Sequence, residues 1–282
     1  MTSPGPTRRE LLAGASGTLL AAARLHPQAR GEAGAARLGW TLVLHSYTFR
    51  DLGFLDVVGR CADLGTRSLE GWPDHLLDRE DPELKLDLNN DEARQAAQTR
   101  LSEKRLLMPA YGPVAVPAGE PAARELLENA KKVGVLVVVT RTPPAPALDR
   151  LCGELGMYVA LHPPAEGGAP EKMLEAVKDL GPRTGICADP APWIRGGLDP
   201  VEALRKLKGR ILHVHPKDLD AGKREVPWGE GTSNVRGQLA ELKAQGYRGF
   251  FSIEYEGPPA GAAEHVRRCV EFFHRTCNEL AG

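Results

Sequence analysis

The chain has 282 residues, with 36 Lys+Arg against 37 Asp+Glu for a net charge of −1, 42% hydrophobic residues and five cysteines. That length buries a core of ordinary size, either as one α/β barrel or as about two smaller domains, and the composition excludes disorder, collagen and a disulfide-stapled miniprotein. The balanced charge gives no basic footprint for phosphates, so nucleic acid is not an expected partner. After the first thirty residues no apolar run approaches the ~18 residues of a membrane span.

In chain order, the first element is a leader. Thr7-Arg8-Arg9-Glu10-Leu11-Leu12 precedes an uncharged, Ala/Gly-rich run from Leu11 to Ala23. Paired arginines before a short, weakly apolar run are the pattern of a cleavable twin-arginine export signal, and the run is too short for a stable anchor. Residues 1–35 are therefore read as export signal and linker, residues 36–282 as the folded domain, and the compartment as periplasmic or extracellular. The cysteines at 61, 152, 187, 269 and 277 are odd in number, show no CxxC spacing and read as buried free thiols.

From residue 38, β-branched or apolar runs alternate with amphipathic stretches. Strands are predicted at 40–45, 67–71, 106–110, 135–140, 157–162, 184–189, 210–215 and 249–254. Helices are predicted at 54–64, 91–104, 121–133, 146–156, 170–180, 199–208, 234–245 and 261–279, with Gly65, Gly156 and Gly246 among the stops that end them. Strict alternation demands a parallel sheet with helical crossovers, and eight units in ~245 residues is the count and size of a (β/α)8 TIM barrel. An open doubly wound sheet is the alternative, but no G-x-G-x-x-G comes after the first strand.

The last four strands also predict which residues face where. Val159, Leu161, Ile186, Leu212, Val214, Phe251 and Ile253 form one alternating apolar set that should face the helices. The other set, ending in His162, Asp189, His215 and Glu254, should point into the barrel. These four are the last inward residues of strands five to eight, one βα unit apart, so they converge at the C-terminal rim where barrel enzymes do their chemistry. Two imidazoles and two carboxylates there suit one divalent metal ion, with Mn, Zn, Co or Fe preferred over the oxygen-seeking Mg.

Several segments then resemble the sugar phosphate isomerase/epimerase family, the xylose isomerase-like TIM barrels. They are Ser46-Tyr47-Thr48-Phe49-Arg50, Leu69-Glu70-Gly71, Gly185-Ile186-Cys187-Ala188-Asp189, His215-Pro216-Lys217-Asp218-Leu219, Pro227-Trp228-Gly229-Glu230-Gly231 and Ser252-Ile253-Glu254-Tyr255-Glu256. The resemblance implies a metal held by a Glu, an Asp, a His and a second Glu, the last three falling on Asp189, His215 and Glu254. It departs at the fifth strand, where His162-Pro163-Pro164 replaces the usual Glu-Asn-His, and after Asp189, where Pro190-Ala191-Pro192 replaces Thr-Gly-His. The family's paired glutamate bases are thus reduced to Glu254.

The function implied is a divalent-metal-dependent isomerase or epimerase, or a related dehydratase (lyase), acting on a sugar, keto-sugar or cyclitol through an enediolate-type intermediate. The alternative is a non-catalytic sugar- or metal-binding barrel that has lost its strand-five glutamate. The partner is a small-molecule carbohydrate, and a homo-oligomer is compatible with the sequence. Candidate catalytic residues are Glu254, His162, Lys217 and Glu70. Lys217 either holds a substrate oxyanion or pairs with Asp218 or Glu256, and Glu70 is a candidate second base. His45, Tyr47, Trp72, Trp193 and Trp228 are candidate substrate contacts, the tryptophans as stacking faces for sugar C–H surfaces. His213 is expected to orient His215 from one layer below.

Overall fold

A computed structural model describes residues 32–166 and 168–282. The segment expected to be a twin-arginine signal, up to residue 31, lies outside the described residues. After a short helix α1 (Ala33–Leu38), the chain runs β1 (Trp40–His45), α2 (Phe54–Arg60), β2 (Ser68–Gly71), a hairpin of β3 (Leu76–Asp78) and β4 (Asp81–Lys85), and α3 (Asp91–Lys104). Next come β5 (Leu107–Val114), α4 (Glu120–Lys132), β6 (Val137–Thr140), α5 (Pro146–Leu155), β7 (Tyr158–Leu161), α6 (Pro170–Val177) and β8 (Thr184–Ala188). Two helices, α7 (Ala191–Arg195) and α8 (Pro200–Lys206), precede β9 (Ile211–Val214), and α9 (Val235–Ala244), β10 (Gly249–Ile253) and α10 (Ala262–Ala281) complete the fold.

Eight of these strands close into one parallel barrel in the order β1-β10-β9-β8-β7-β6-β5-β2. The expected strand starts hold to within two residues, and the expected helices are all present. Local chemistry explains the boundaries. Asn90, Asp199 and Asn234 cap α3, α8 and α9 by accepting backbone N–H groups, and proline opens α4, α5, α6 and α8, where the missing N–H costs nothing. The β3–β4 hairpin has no counterpart among the expected elements. Its turn, Asp78-Arg79-Glu80-Asp81, is wholly charged and exposed, so the sequence shows polarity there rather than alternation.

The apolar residues divide into two layers. Val159, Leu161, Ile186, Val214, Phe251 and Ile253 belong to the layer between strands and helices, while Val43, Val137, Val139, Tyr158, Ala160, Cys187 and Phe250 fill the barrel. Leu212 departs from the expected phase. The β8–β9 ladder pairs Ile186 with Ile211 but Cys187 with His213, so Leu212 is the extra residue of a bulge and packs against the inner layer instead of the helices. Such a bulge re-aims the side chains beyond it, and it brings His213 and His215 inward together. All five cysteines are buried and free. No described helix is long and apolar enough to cross a membrane.

Candidate metal centre

His162, Asp189, His215 and Glu254 each stand directly after the last residue of β7, β8, β9 and β10. Their donor atoms all lie within 4.8 Å of one another. The donors are individually prepared. Nδ1 of His162 lies 2.9 Å from the Pro163 carbonyl, which can only accept, so the proton sits on Nδ1 and the Nε2 lone pair is left free. That Nε2 is buried without a hydrogen-bond partner, 3.4 Å from Asp189 Oδ2. Asp189 uses Oδ1 to accept the Ala191 N–H at 2.8 Å, a turn that Pro190-Ala191-Pro192 carries straight into α7. Its Oδ2 is thereby turned to the cluster. A buried ring nitrogen facing a carboxylate oxygen at 3.4 Å, beyond close hydrogen-bond contact, leaves room for a cation between them, and the N2O2 set suits the borderline divalent ions.

Beneath this rim lies a second, fully buried layer. Glu70 Oε2 accepts from Ser252 Oγ at 2.5 Å, His213 Nε2 at 2.8 Å and His215 Nε2 at 3.0 Å. His215 turns its other nitrogen, Nδ1, to Glu254 Oε2 at 3.1 Å. Burial opposes a charge on His215, yet its neighbours Cys187, Glu70 and Glu254 together outweigh it and raise its pKa well above the ordinary value. Burial in turn pushes the Cys187 thiol up to about 12. Burial likewise opposes ionisation of Glu70, and the surrounding imidazoles, His215 first, reverse that and hold it well below the usual carboxylate range.

Glu70 therefore does not face a substrate as the expected second base. It is a brace that fixes His215 through Nε2 and leaves Nδ1 to the cluster, the arrangement that orients metal-binding histidines. His213 acts on His215 through their shared acceptor, Glu70, and by packing edge to face against its ring with centroids 5.1 Å apart. His45 is also beneath the rim. Its Nδ1 accepts the Tyr47 N–H, and its Nε2 donates to the Gly112 carbonyl at 3.2 Å. Gly112 presents that carbonyl because its φ is +149° and a Cβ there would lie 2.3 Å from the Val139 oxygen, so only glycine lets β5 pass β6 so closely.

Lys217 also differs from expectation. It is fully buried, donates to the Glu254 carbonyl at 2.8 Å and lies 3.2 Å from Glu254 Oε2, 3.8 Å from both Glu225 and Glu256, and 3.9 Å from Asp189. Enclosed by four carboxylates, it has no reach to a substrate oxyanion, and it does not pair with Asp218. Burial depresses its pKa less than these neighbours raise it. In return Lys217 is the largest influence holding Glu254 ionised against burial, and it does the same for Asp189. Glu225, which no sequence motif marks, is part of this cage. Its Oε1 faces Lys217 at 3.8 Å but has no hydrogen-bond partner, and burial pushes its pKa up to about 7. Asp218 instead ties down the Pro227–Gly231 loop by accepting the N–H groups of Gly229, Gly231 and Ser233.

Above the rim opens a cavity of about 340 Å3 lined by Tyr47, Trp72, Pro113, Arg141, His162, Asp189, Arg195, Glu254 and Glu256 among others. Tyr47 and Trp72 meet edge to face at 4.9 Å and form one wall. Trp193 and Trp228, expected as stacking faces, are elsewhere: they are 1% and 2% exposed, and their indole N–H groups go to the carbonyls of Gly168 and Pro216. Trp193 lies within α7 and Trp228 in the long segment between β9 and α9, and both rings fold down into the outer core. A second cavity, about 260 Å3, lies at the opposite end among Trp40, Leu136 and Phe250 and contains none of the cluster.

The sequence profile of one family, the xylose isomerase-like TIM barrel, matches residues 58–272. The chain belongs to this family. Among curated proteins, this xylose isomerase-like barrel is 27% identical over 154 residues to the inosose dehydratase of Geobacillus thermodenitrificans (strain NG80-2), a match covering 46% of the chain and 51% of that protein. It thus spans about half the length of the curated relative. Among solved structures it is similar to a protein of Parabacteroides distasonis ATCC 8503, with a TM-score of 0.65 and 26% identity over 84% of this chain and 99% of the other. A D-tagatose 3-epimerase-like protein gives a TM-score of 0.64 at 18% identity, covering 85% and 98%, and supports the fold alone.

Proposed function

We propose that this barrel is a divalent-metal-dependent enzyme that removes a proton beside a carbonyl of a sugar, keto-sugar or cyclitol. The observation that carries the reading is the free, buried Nε2 of His162 facing Asp189 Oδ2 within a four-donor cluster at the rim. His162, Asp189, His215 and Glu254 would hold the ion. When bound, it supplies Lewis acidity that polarises the substrate carbonyl and stabilises the enediolate.

The chain's own groups then set the type of reaction. Both nitrogens of His162 are committed, Nδ1 to Pro163 and Nε2 to the cluster, so His162 is a ligand and not a proton carrier. Glu254 has Oε2 engaged by His215 and Lys217, whereas Oε1 lies 3.8 Å from Nε2 of His45, an imidazole that burial holds toward its neutral form. Oε1 is the atom that takes the proton. One base on one face suits transfer between adjacent carbons, or removal of a proton and then loss of water, better than inversion, which needs an acid on the opposite face. The likeness to an inosose dehydratase favours the elimination branch. Tyr47 and Trp72 orient the sugar and keep water off one wall of the cavity.

The test is a Mn2+- or Co2+-loaded sample incubated in heavy water with ketoses, keto-sugars and inososes. Proton NMR would track C–H exchange and ultraviolet absorbance the appearance of an enone. Exchange or elimination at one-to-one metal loading is the expected result. Metal binding without exchange on any compound would instead make it the non-catalytic barrel. We also infer, from Arg8, Arg9 and the uncharged run behind them, export by the twin-arginine route. Substituting both arginines by Lys should leave the precursor in the cytoplasm, and unchanged export would refute this.

A further inference from the structure

With Lys217 enclosed, the cations left to meet a substrate can be counted. Arg50 spends its guanidinium on the carbonyls of Tyr47, Tyr255, Glu256 and Gly257. Arg195 pairs with Glu256 Oε2 at 3.3 Å. Arg141 is different. It lines the rim cavity, yet its guanidinium makes no hydrogen bond or ion pair with any described residue. Its backbone, by contrast, is held on both sides. The Arg141 N–H donates to the Val114 carbonyl at 3.0 Å, and the next N–H, of Thr142, donates to Thr140 Oγ1 at 3.1 Å. A fixed backbone thus places an exposed side chain with an unspent fork of five N–H donors at the cavity wall.

The charged side chains lining the cavity are two cations, Arg141 and Arg195, and three carboxylates, Asp189, Glu254 and Glu256. Two of those carboxylates belong to the cluster, so a dication in place turns the lining positive. The ring order adds direction. In β1-β10-β9-β8-β7-β6-β5-β2, β6 stands four places from β10, opposite it across the barrel. Arg141 comes just after β6, and Glu254 just after β10.

We propose that Arg141 binds an anionic substituent of the substrate, so that this enzyme acts on an acidic polyol whose charged end lies across the barrel from the carbon deprotonated by Glu254. The inference rests on the metal-assisted reading above and adds the substrate class. A carboxylate or a phosphate presents the same acceptor oxygens, and a guanidinium binds either in two parallel hydrogen bonds. Charge-assisted bonds of this kind are worth about tenfold or more in affinity.

The experiment compares matched pairs on Mn2+-loaded protein by calorimetry: D-glucuronate against D-glucose, D-gluconate against D-glucitol, and quinate against myo-inositol, with D-glucose 6-phosphate as the phosphate arm. At least one acid should bind about tenfold or more tightly than its neutral partner. Arg141→Gln should erase that preference while Mn2+ stoichiometry and melting temperature stay unchanged, and Arg141→Lys should keep part of it. Tighter binding of the phosphate than of any carboxylate would identify the anion as a phosphate. Equal binding within every pair, no binding of any acid, or a preference that survives in Arg141→Gln overturns the inference. Failure of Mn2+ to bind at the four-residue cluster overturns the underlying reading as well, so the two failures are told apart by the metal titration.

Discussion

Glu70→Gln isolates the brace beneath the rim. The replacement keeps shape and an acceptor oxygen but removes the charge on which three donors converge, those of Ser252, His213 and His215. Hydrogen bonds to a charged acceptor are worth about 1.5–3 kcal/mol and neutral ones about 0.5–1.5, so each donor loses about 1 kcal/mol. The new amide NH2 must point where Oε1 now lies, toward the already donating His45 Nε2 at 3.7 Å, and so is left unsatisfied at a cost of about 1–3 kcal/mol. Relief from burying a charge offsets part of this, and a melting temperature lowered by several degrees is expected. The functional effect is separable. Losing the carboxylate partner of a ligating histidine lowers metal affinity about 10–100-fold, equivalent to about 1.4–2.8 kcal/mol. Calorimetric titration of Mn2+ into the folded variant measures the loss, and the visible spectrum of bound Co2+ should change. An affinity within about twofold of wild type would refute the brace. If proton exchange on substrate also vanished, Glu70 would be the base that its position in the sequence first suggested.

The same network sets an acid limit. Glu70 has its pKa held well below its ordinary 4.5 in the folded state, so its contribution is present above that value and is lost as pH falls below it toward the folded pKa. Metal-free wild type should therefore lose stability below about pH 4.5 more steeply than Glu70→Gln, as equilibrium urea unfolding would show; parallel curves would count against it. Lys217→Met removes a buried cation from among Glu254, Asp189, Glu225 and Glu256. Leaving those carboxylates uncompensated should destabilise the protein by about 3–5 kcal/mol, whereas a purely substrate-binding lysine would change affinity and leave the unfolding midpoint alone. His162→Glu should keep one metal per chain and place a carboxylate opposite Glu254. Epimer formation in an NMR assay is the expected gain, and an unchanged product spectrum would contradict the one-base reading.

The barrel was legible because its signals repeat. Eight alternations with glycine stops admit few other folds, and Val159 to Ile253 marked the helix-facing side with only Leu212 misplaced. The rim residues came from strand ends and phase alone. What the sequence could not carry was depth. Glu70 and Lys217 are inward or just past a strand end like the four cluster residues, but lie below or behind the rim, and nothing in a one-dimensional pattern separates the top layer from the next. Trp193 and Trp228 follow the right strands, yet a large indole that can reach the outer core gains more from burial than from display. Arg141 carried no motif. Its meaning comes from the spending of every other nearby cation, which only three-dimensional pairing shows. Glu225 is similar, a loop carboxylate visible as functional only beside the lysine it encloses.

The departures from the family pattern at 162 and 190–192 act together. Exchanging a strand-five glutamate for His162 removes one negative charge from a site already crowded by Asp189, Glu254, Glu70, Glu225 and Glu256. Pro163 supplies the carbonyl that fixes the imidazole tautomer, and Pro190-Ala191-Pro192 supplies the turn that fixes Asp189 Oδ1. Each change removes freedom from a donor rather than removing the donor. A chain that had merely lost its catalytic glutamate would have no reason to keep the lone pair of His162 aimed at Asp189, or to keep Lys217 and Glu70 buried as counter-charges at a large desolvation cost. The retained preparation of all four donors argues for a working metal centre with one base. It also fits the proposed anionic substrate, since a neutral ligand in place of a carboxylate would leave positive charge over for such a substrate to satisfy.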